Sequence, residues 1–120
     1  MNKKFLWLGV MTTLVGCGSS TPKVVDDAKL KLWTAYNENI YTAKCQPKQS
    51  DEWFVICENG PNKAVYWIQP LTETNYVIYA VNGKAKQHAE KMASLNISDF
   101  YSDGSHPNAE AAWDKLSSTL

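Results

Sequence analysis

Glu52-Trp-Phe-Val-Ile-Cys-Glu58 is the stretch of this 120-residue chain that decides its fold. Its β-branched and aromatic residues favour a β-strand. A turn over Asn59-Gly60-Pro61-Asn62 follows, and then a second run of the same kind over residues 63–69. After a loop over residues 70–74, a third run covers residues 75–81. These connections are too short for a parallel crossover, so the three runs predict an antiparallel meander.

The predicted strands are apolar on both faces. Trp53, Val55 and Cys57 fall on one face of the first strand, and Phe54 and Ile56 fall on the other. A sheet that is solvated on one side usually alternates apolar and polar residues, and these runs do not. Helices are therefore expected on one face. The second face is either covered by the protein's own helices and loops or used to bind a partner.

A helix is expected before the sheet. Asp26 or Asp27 can cap its start, and residues 28–39 have helical character. The three- and four-residue spacing of its apolar side chains is typical of a face packed on a core. The predicted apolar side consists of Leu32, Trp33, Ala35, Tyr36 and Ile40.

Two further helices are expected after the sheet. Residues 84–94 have helical composition, and His88 among their lysines is predicted to face solvent. Residues 95–106 read as irregular, and Pro107 suits the first turn of a final helix that runs to Leu116. The predicted fold is α+β: an N-terminal helix, a meander of three or four antiparallel strands, and two C-terminal helices packed on one sheet face.

Two cysteines of the expected domain, Cys45 and Cys57, predict one disulfide in an oxidising compartment. Such a short loop stabilises the fold by roughly 3 kcal/mol in the chain-entropy account. Residues 40–46 are either a last helical turn or a first strand, and the strand is favoured because residues 47–51 read as a loop. In the strand interpretation the two cysteines face each other across a hairpin. Their spacing does not favour a metal or redox pair.

The chain begins like a secretory leader. Lys3 and Lys4 precede an apolar run over residues 5–15, which is too short to span a bilayer. The run ends in Leu14-Val15-Gly16-Cys17, and here the chain resembles a bacterial lipoprotein precursor, whose lipobox these residues match at every position. An ordinary secretory leader, with Cys17 only by chance at its cleavage site, is the alternative.

The lipoprotein resemblance implies that residues 1–16 are removed and that Cys17 receives a diacylglycerol. Residues 17–23 would then be a lipidated tether, and residues 24–120 a single small domain. No Asp follows the cysteine, which by the same resemblance implies the outer membrane, and we expect the domain to face the periplasm. Acyl chains hold a protein at a bilayer at about 0.8 kcal/mol per buried CH₂.

Charge excludes some partner classes. The chain has a formal net charge of zero, and all twelve of its basic residues are lysine. Without Lys3 and Lys4, ten lysines remain against twelve acidic residues, a net charge of −2. Arginine is the usual residue for forked phosphate contacts. Its absence, with no lysine cluster, argues against binding nucleic acid and against polybasic docking to a membrane.

One segment resembles part of an enzyme family. Asp103-Gly-Ser-His106 is similar to the last block of the SGNH (GDSL-type) hydrolases, in which His106 would be the base and Asp103 its partner. The family's Gly-Asp-Ser nucleophile block and its Gly-x-Asn-Asp block are absent from the sequence. A turn before a helix that begins at Pro107 explains the same residues. We therefore predict no enzyme activity, no cofactor and no metal site.

The sequence favours a membrane-anchored envelope lipoprotein that binds proteins. It would be an accessory, pilotin-like subunit in secretion, conjugation or outer-membrane assembly. We expect its contacts on an exposed part of the sheet, at Trp53, Tyr66, Trp67 and Tyr79. An inhibitor or immunity lipoprotein is the alternative, with residues 46–52 as a protruding loop that blocks an envelope enzyme. The oligomeric state is left open.

Overall fold

The computed structural model describes residues 21–102 and 104–120. The predicted leader, Cys17, most of the predicted tether and Asp103 lie outside the described residues. The main elements are α1 (Lys23–Asn39), β1 (Lys44–Ser50), β2 (Glu52–Asn59), β3 (Asn62–Pro70), β4 (Tyr76–Ala80), α2 (Gly83–Ala89), β5 (Ser98–Asp99) and α3 (Pro107–Ser117). The α+β class is confirmed, although α1 begins at Lys23 and is not at the start of the chain.

The sheet has five strands in the order β1-β2-β3-β4-β5. The first four pair antiparallel, as predicted for the meander. The fifth was not predicted: Ser98 and Asp99 pair in parallel with Tyr79 and Ala80, in a segment expected to be irregular. A two-residue strand has no hydrophobic period of its own, so only its backbone pairing with β4 reveals it.

The β1–β2 hairpin differs from the sequence prediction. The prediction of a loop over residues 47–51 is wrong, because β1 continues to Ser50, which pairs with Glu52. Asp51 alone makes the turn, in the left-handed region at φ 61°. Pro47 lies within β1 and is tolerated because β1 is an edge strand, where a missing backbone donor costs least. The protruding loop expected of an inhibitor is therefore a tight hairpin end.

The predicted disulfide between Cys45 and Cys57 is confirmed. The two residues lie directly opposite each other in the β1–β2 register, with Cα atoms 4.0 Å apart. This placement also confirms the strand interpretation for Cys45. The bond closes the end of the hairpin that lies against α1, where Cys57 is buried and Cys45 packs against the same cluster.

Helices cover both faces of the sheet. On the face that we call the α1 face, α1 and the region of α2 pack over Val55, Cys57, Tyr66 and Ile68. On the other, the α3 face, α3 packs over a second set of strand residues. The prediction that both C-terminal helices pack on one sheet face is therefore wrong, because α2 and α3 lie on opposite faces. The alternative that the protein's own helices cover the second face is confirmed. The buried α3-face cluster consists of Phe54, Ile56, Val65, Trp67, Tyr79, Val81, Phe100, Ala109, Ala112 and Leu116.

The helices begin and end differently from the predicted bounds. Neither Asp26 nor Asp27 caps α1, because Pro22 stands at its N-cap without a side-chain bond. α2 is shorter than predicted and is capped by Asn82, whose side chain accepts from the backbone N–H of Ala85 at 3.0 Å. α3 begins at Pro107 as predicted.

The buried side of α1 starts earlier than predicted, and this changes its orientation. It is formed by Val24, Val25, Ala28, Leu32, Ala35 and Tyr36. Trp33, which was predicted to be part of the core, is 46% exposed. Leu32 and Trp33 are neighbours in the chain, about 100° apart around a helix, so a core centred on Leu32 leaves Trp33 at its margin.

Candidate functional site

The four aromatic residues predicted to bind a partner do not form an exposed patch. Tyr66, Trp67 and Tyr79 are buried, and Trp53 is half-buried against the α1-face cluster. The expectation that the sheet exposes them is wrong, because helices cover both faces. The indole N–H of Trp67 is used within the protein, where it donates to Glu52 Oε1 at 3.2 Å. These residues belong to the core and its margin.

His106 lies among aromatic rings on the α3 face. Its ring centroid is 4.9 Å from that of Trp67, 5.0 Å from that of Tyr79 and 6.2 Å from that of Phe100. It occupies the N-cap of α3, where its backbone N–H donates to the Glu110 side chain at 3.1 Å. This capping contact and the ring contacts hold the start of α3 on the sheet.

Among the described residues, the His106 ring nitrogen Nε2 is not hydrogen-bonded to a nucleophile or to an acidic partner, as the hydrolase interpretation would require. His106 Nε2 is buried and has no hydrogen-bond partner within residues 21–102 and 104–120. Asp103, its predicted partner, lies outside the described residues. A groove of about 360 Å³ runs beside the ring and includes the exposed Ser105. Acyl transfer needs a nucleophile hydrogen-bonded to its base, and Nε2 makes no such bond to a described side chain.

A hydrogen-bonded group of three side chains lies inside the α1 face. The Tyr36 hydroxyl lies 2.7 Å from the Tyr66 hydroxyl and 2.8 Å from His88 Nδ1. The group joins α1, β3 and α2. His88 is only 7% exposed, so the prediction that it faces solvent is wrong. The sequence does contain the missed signal: Ala85, His88 and Met92 are spaced three and four apart along one helical side.

Burial sets the protonation of this group. It raises the pKa of Tyr36 and of Tyr66, so both hydroxyls stay protonated. Burial, with the nearby charges of Lys84 and Lys91, lowers the pKa of His88. A neutral imidazole therefore fits the network best. The group is closed inside the core, which makes it a structural device rather than a binding site.

Within the described ranges, no three His, Cys, Asp or Glu side chains are placed to hold a metal ion. None of the helices described is long and apolar enough to cross a membrane.

Two exposed large apolar side chains lie next to each other on α1. Among the described residues, the exposed large hydrophobic residues are Leu30, Trp33, Leu71, Tyr101 and Leu120. Leu30 and Trp33 are one helical turn apart on α1, so their side chains are neighbours. Both line a groove of about 370 Å³ between α1 and the start of β1, which we call the Trp33 groove. Its other lining residues are Lys29, Ala43, Lys44 and Cys45.

The Trp33 groove has the features of a contact surface. An exposed tryptophan and a leucine form its apolar centre, and two lysines stand at its margin. Interfaces commonly have an aromatic centre and a polar rim. The disulfide fixes the strand side of the groove, since Cys45 belongs to both. The sequence prediction missed this surface because it placed Trp33 in the core.

Comparison with known proteins does not assign the chain to a family. A scan against family models finds no match, and searches of the curated proteins and of the solved structures find none either.

Proposed function

We propose that this protein is a lipid-anchored envelope lipoprotein that binds another envelope protein and is not an enzyme. It would serve as an accessory, pilotin-like subunit in secretion, conjugation or outer-membrane assembly. The observation that carries the proposal is the Trp33 groove, an exposed apolar surface on the helix that begins six residues after Cys17.

In this proposal the lipid anchor determines where the domain is located. Acylated Cys17 would hold the domain at the outer membrane, facing the periplasm, without a spanning segment. Tethering raises the effective concentration of the domain near membrane-embedded partners without adding any contact. The Cys45–Cys57 disulfide supports an oxidising compartment, as expected for the periplasm.

In this proposal the Trp33 groove is the surface that contacts the partner protein. Trp33 is 46% exposed and Leu30 is 56% exposed, so each has apolar area left for a partner to bury. Tryptophan in such a position is among the residues that contribute most to binding. Lys29 and Lys44 at the margin favour a partner with acidic groups around an apolar centre.

The experiment is in vivo cross-linking from envelopes with a photoreactive residue at position 33, followed by pull-down. The same residue at position 120 is the matched control, because Leu120 is equally exposed but lies at the far end of the described chain. We expect a specific cross-linked protein from position 33 alone, and we expect Leu30→Ser to reduce its yield. Equal cross-linking from both positions would contradict the proposal that the Trp33 groove binds the partner.

The anchor is tested separately. A mass spectrum of the purified protein should show a diacylglycerol on Cys17 and no leader, and Cys17→Ser should release the protein from membranes. An unmodified thiol or an intact leader would exclude the lipoprotein assignment. Recovery of the same cross-linked partner with soluble Cys17→Ser protein would show that anchoring is not needed for binding.

A further inference from the structure

The distance from the anchor to the domain is short. Lys23, the first residue of α1, is six residue steps along the chain from Cys17. Even a fully extended chain spans at most about 3.6 Å per residue, or about 22 Å in all. If Cys17 is acylated, as the proposed function requires, Lys23 at the start of α1 stays within about that distance of the bilayer.

The β3–β4 loop is held at the same end of the domain. The Tyr76 hydroxyl donates to Asp27 Oδ2 at 2.6 Å, which ties the start of β4 to the second turn of α1. Lys31 pairs with the same carboxylate at 3.3 Å and lies over the Tyr76 ring. A groove between the loop and α1 is lined by residues of both, including Val24 and Leu30.

Leu71 is the most exposed large hydrophobic residue described, at 59%. It lies in the turn after β3, and this turn is braced. The backbone N–H groups of Leu71 and Thr72 donate to the Asn75 carbonyl at 2.9 and 3.1 Å. The Thr72 hydroxyl accepts from the backbone N–H groups of Thr74 and Asn75. An apolar side chain on a braced turn loses little further freedom when it is buried in another medium.

We propose that Leu71 docks on the lipid bilayer and orients the anchored domain. The anchor keeps this end of the domain at the membrane surface, and leucine gains free energy when it enters the apolar boundary. Electrostatic attraction to anionic lipid does not explain the contact, because Lys23 is outnumbered by Asp26, Asp27 and Glu73 around the same groove. The contact should therefore form on uncharged lipid.

Docking at Leu71 leaves the Trp33 groove available. Trp33 is ten residues along α1 from Lys23, about 15 Å at the helical rise of 1.5 Å per residue. The membrane contact would then lie on the β3–β4 loop, and the protein contact on α1 and the start of β1.

The test uses the full acylated protein in vesicles of uncharged phosphatidylcholine with brominated acyl chains, which quench tryptophan fluorescence on contact. Leu71→Trp places a reporter at the proposed contact, and Leu120→Trp is the matched control. We expect the tryptophan added at position 71 to lose at least about twofold more of its fluorescence than the one at position 120, because it lies at the apolar boundary. Circular dichroism checks that both variants fold.

The outcomes separate this inference from the proposed function. Equal quenching at positions 71 and 120 in protein with acylated Cys17 would overturn the membrane contact and leave the proposed function intact. If the vesicles are then made with added anionic lipid, stronger quenching at 71 that appears only in them would overturn the apolar contact argued here. An unacylated Cys17 in the mass spectrum is the separate result that would remove the proposed function.

Discussion

The two faces of the sheet are built by different means, although they share the same strands. Phe54 and Val55 are adjacent in β2 and fully buried, yet Phe54 lies in the α3-face cluster and Val55 in the α1-face cluster. The α1 face joins its elements through hydrogen bonds that the Tyr36 hydroxyl forms with Tyr66 and His88. The α3 face joins them through rings, with His106 among Trp67, Tyr79 and Phe100.

This difference shows how a small sheet with two apolar faces specifies which helix covers which face. Hydrogen bonds between buried side chains are directional, so the α1 face favours one arrangement of α1 and α2. Ring packing is less directional and depends on filled volume. The α3 face should therefore be sensitive to lost volume, and the α1 face to lost hydroxyl groups.

Phe54→Ala should have the largest effect, a loss of about 3–5 kcal/mol in the free energy of unfolding. The ring is fully buried and lies 6.4 Å from the Trp113 ring of α3, so its removal leaves a cavity where α3 docks. Urea denaturation followed by circular dichroism measures the change.

The control for Phe54→Ala is Trp33→Ala, which removes a larger ring system from an exposed site. We expect its effect on stability to be much smaller. Equal losses for the two variants would show that α3 does not depend on the Phe54 contact for its position.

Much of this two-faced core was predictable, and the limits have physical causes. The alternation of Phe54 and Val55 between faces follows from the two-residue period of a strand, and the disulfide follows from two cysteines in one oxidised domain. The sequence did not show which face each C-terminal helix covers, because a short amphipathic helix suits either one. That choice is made by tertiary contacts, such as Phe100 and His106 on the α3 face.

The candidate surface was harder to predict than the fold. The sequence predicts that Tyr66, Trp67 and Tyr79 are exposed, because so many aromatic residues in a small domain favour an exposed aromatic patch. The structure buries them by covering both sheet faces. Trp33 was missed for the opposite reason: its helical phase depends on where α1 begins, and Val24 and Val25 shift the buried side.

Tyr36→Phe should reduce stability by about 2–4 kcal/mol, because its hydroxyl is the central member of the network. Its loss leaves the Tyr66 hydroxyl and His88 Nδ1 without the bonds that they make in the structure, at about 1–2 kcal/mol for each buried group. Denaturation with urea gives the difference.

Tyr66→Phe is the matched comparison for Tyr36→Phe. It removes an outer member and leaves the bond between Tyr36 and His88, so we expect a loss of only about 1 kcal/mol. If Tyr66→Phe proved as damaging as Tyr36→Phe, the central role of the Tyr36 hydroxyl would be wrong.

Lowering the pH should weaken the α1 face through His88. Its pKa in the folded protein is below the ordinary value, owing first to burial and then to Lys84 and Lys91. The unfolded chain therefore binds the proton more readily than the folded one. The contribution of His88 to stability is full above its unfolded pKa of about 6.5 and declines as the pH falls through the lower folded pKa.

The pH dependence is measured by thermal unfolding of the wild type and His88→Asn between pH 8 and pH 5, taken as a range around that unfolded pKa of about 6.5. We expect the wild type to lose more stability than His88→Asn across this range, because asparagine does not titrate. Parallel curves for the two proteins would rule out His88 as the source.

The smallest expected effect comes from the ion pair between Lys115 and Asp51, which links α3 to the turn of the β1–β2 hairpin at 2.6 Å. Both side chains are more than half exposed, so solvent screens their attraction and Lys115→Met should cost at most about 1 kcal/mol. The hairpin end keeps a second link, from the Ser50 hydroxyl to the Ala112 carbonyl at 3.1 Å. Hydrogen exchange of the α3 amides in Lys115→Met and Ser50→Ala distinguishes the two links. We argue that α3 is held mainly by packing of buried rings such as Phe54. Neither variant should therefore increase exchange as much as Phe54→Ala does. A larger increase from Lys115→Met would mean that the ion pair holds α3 in place.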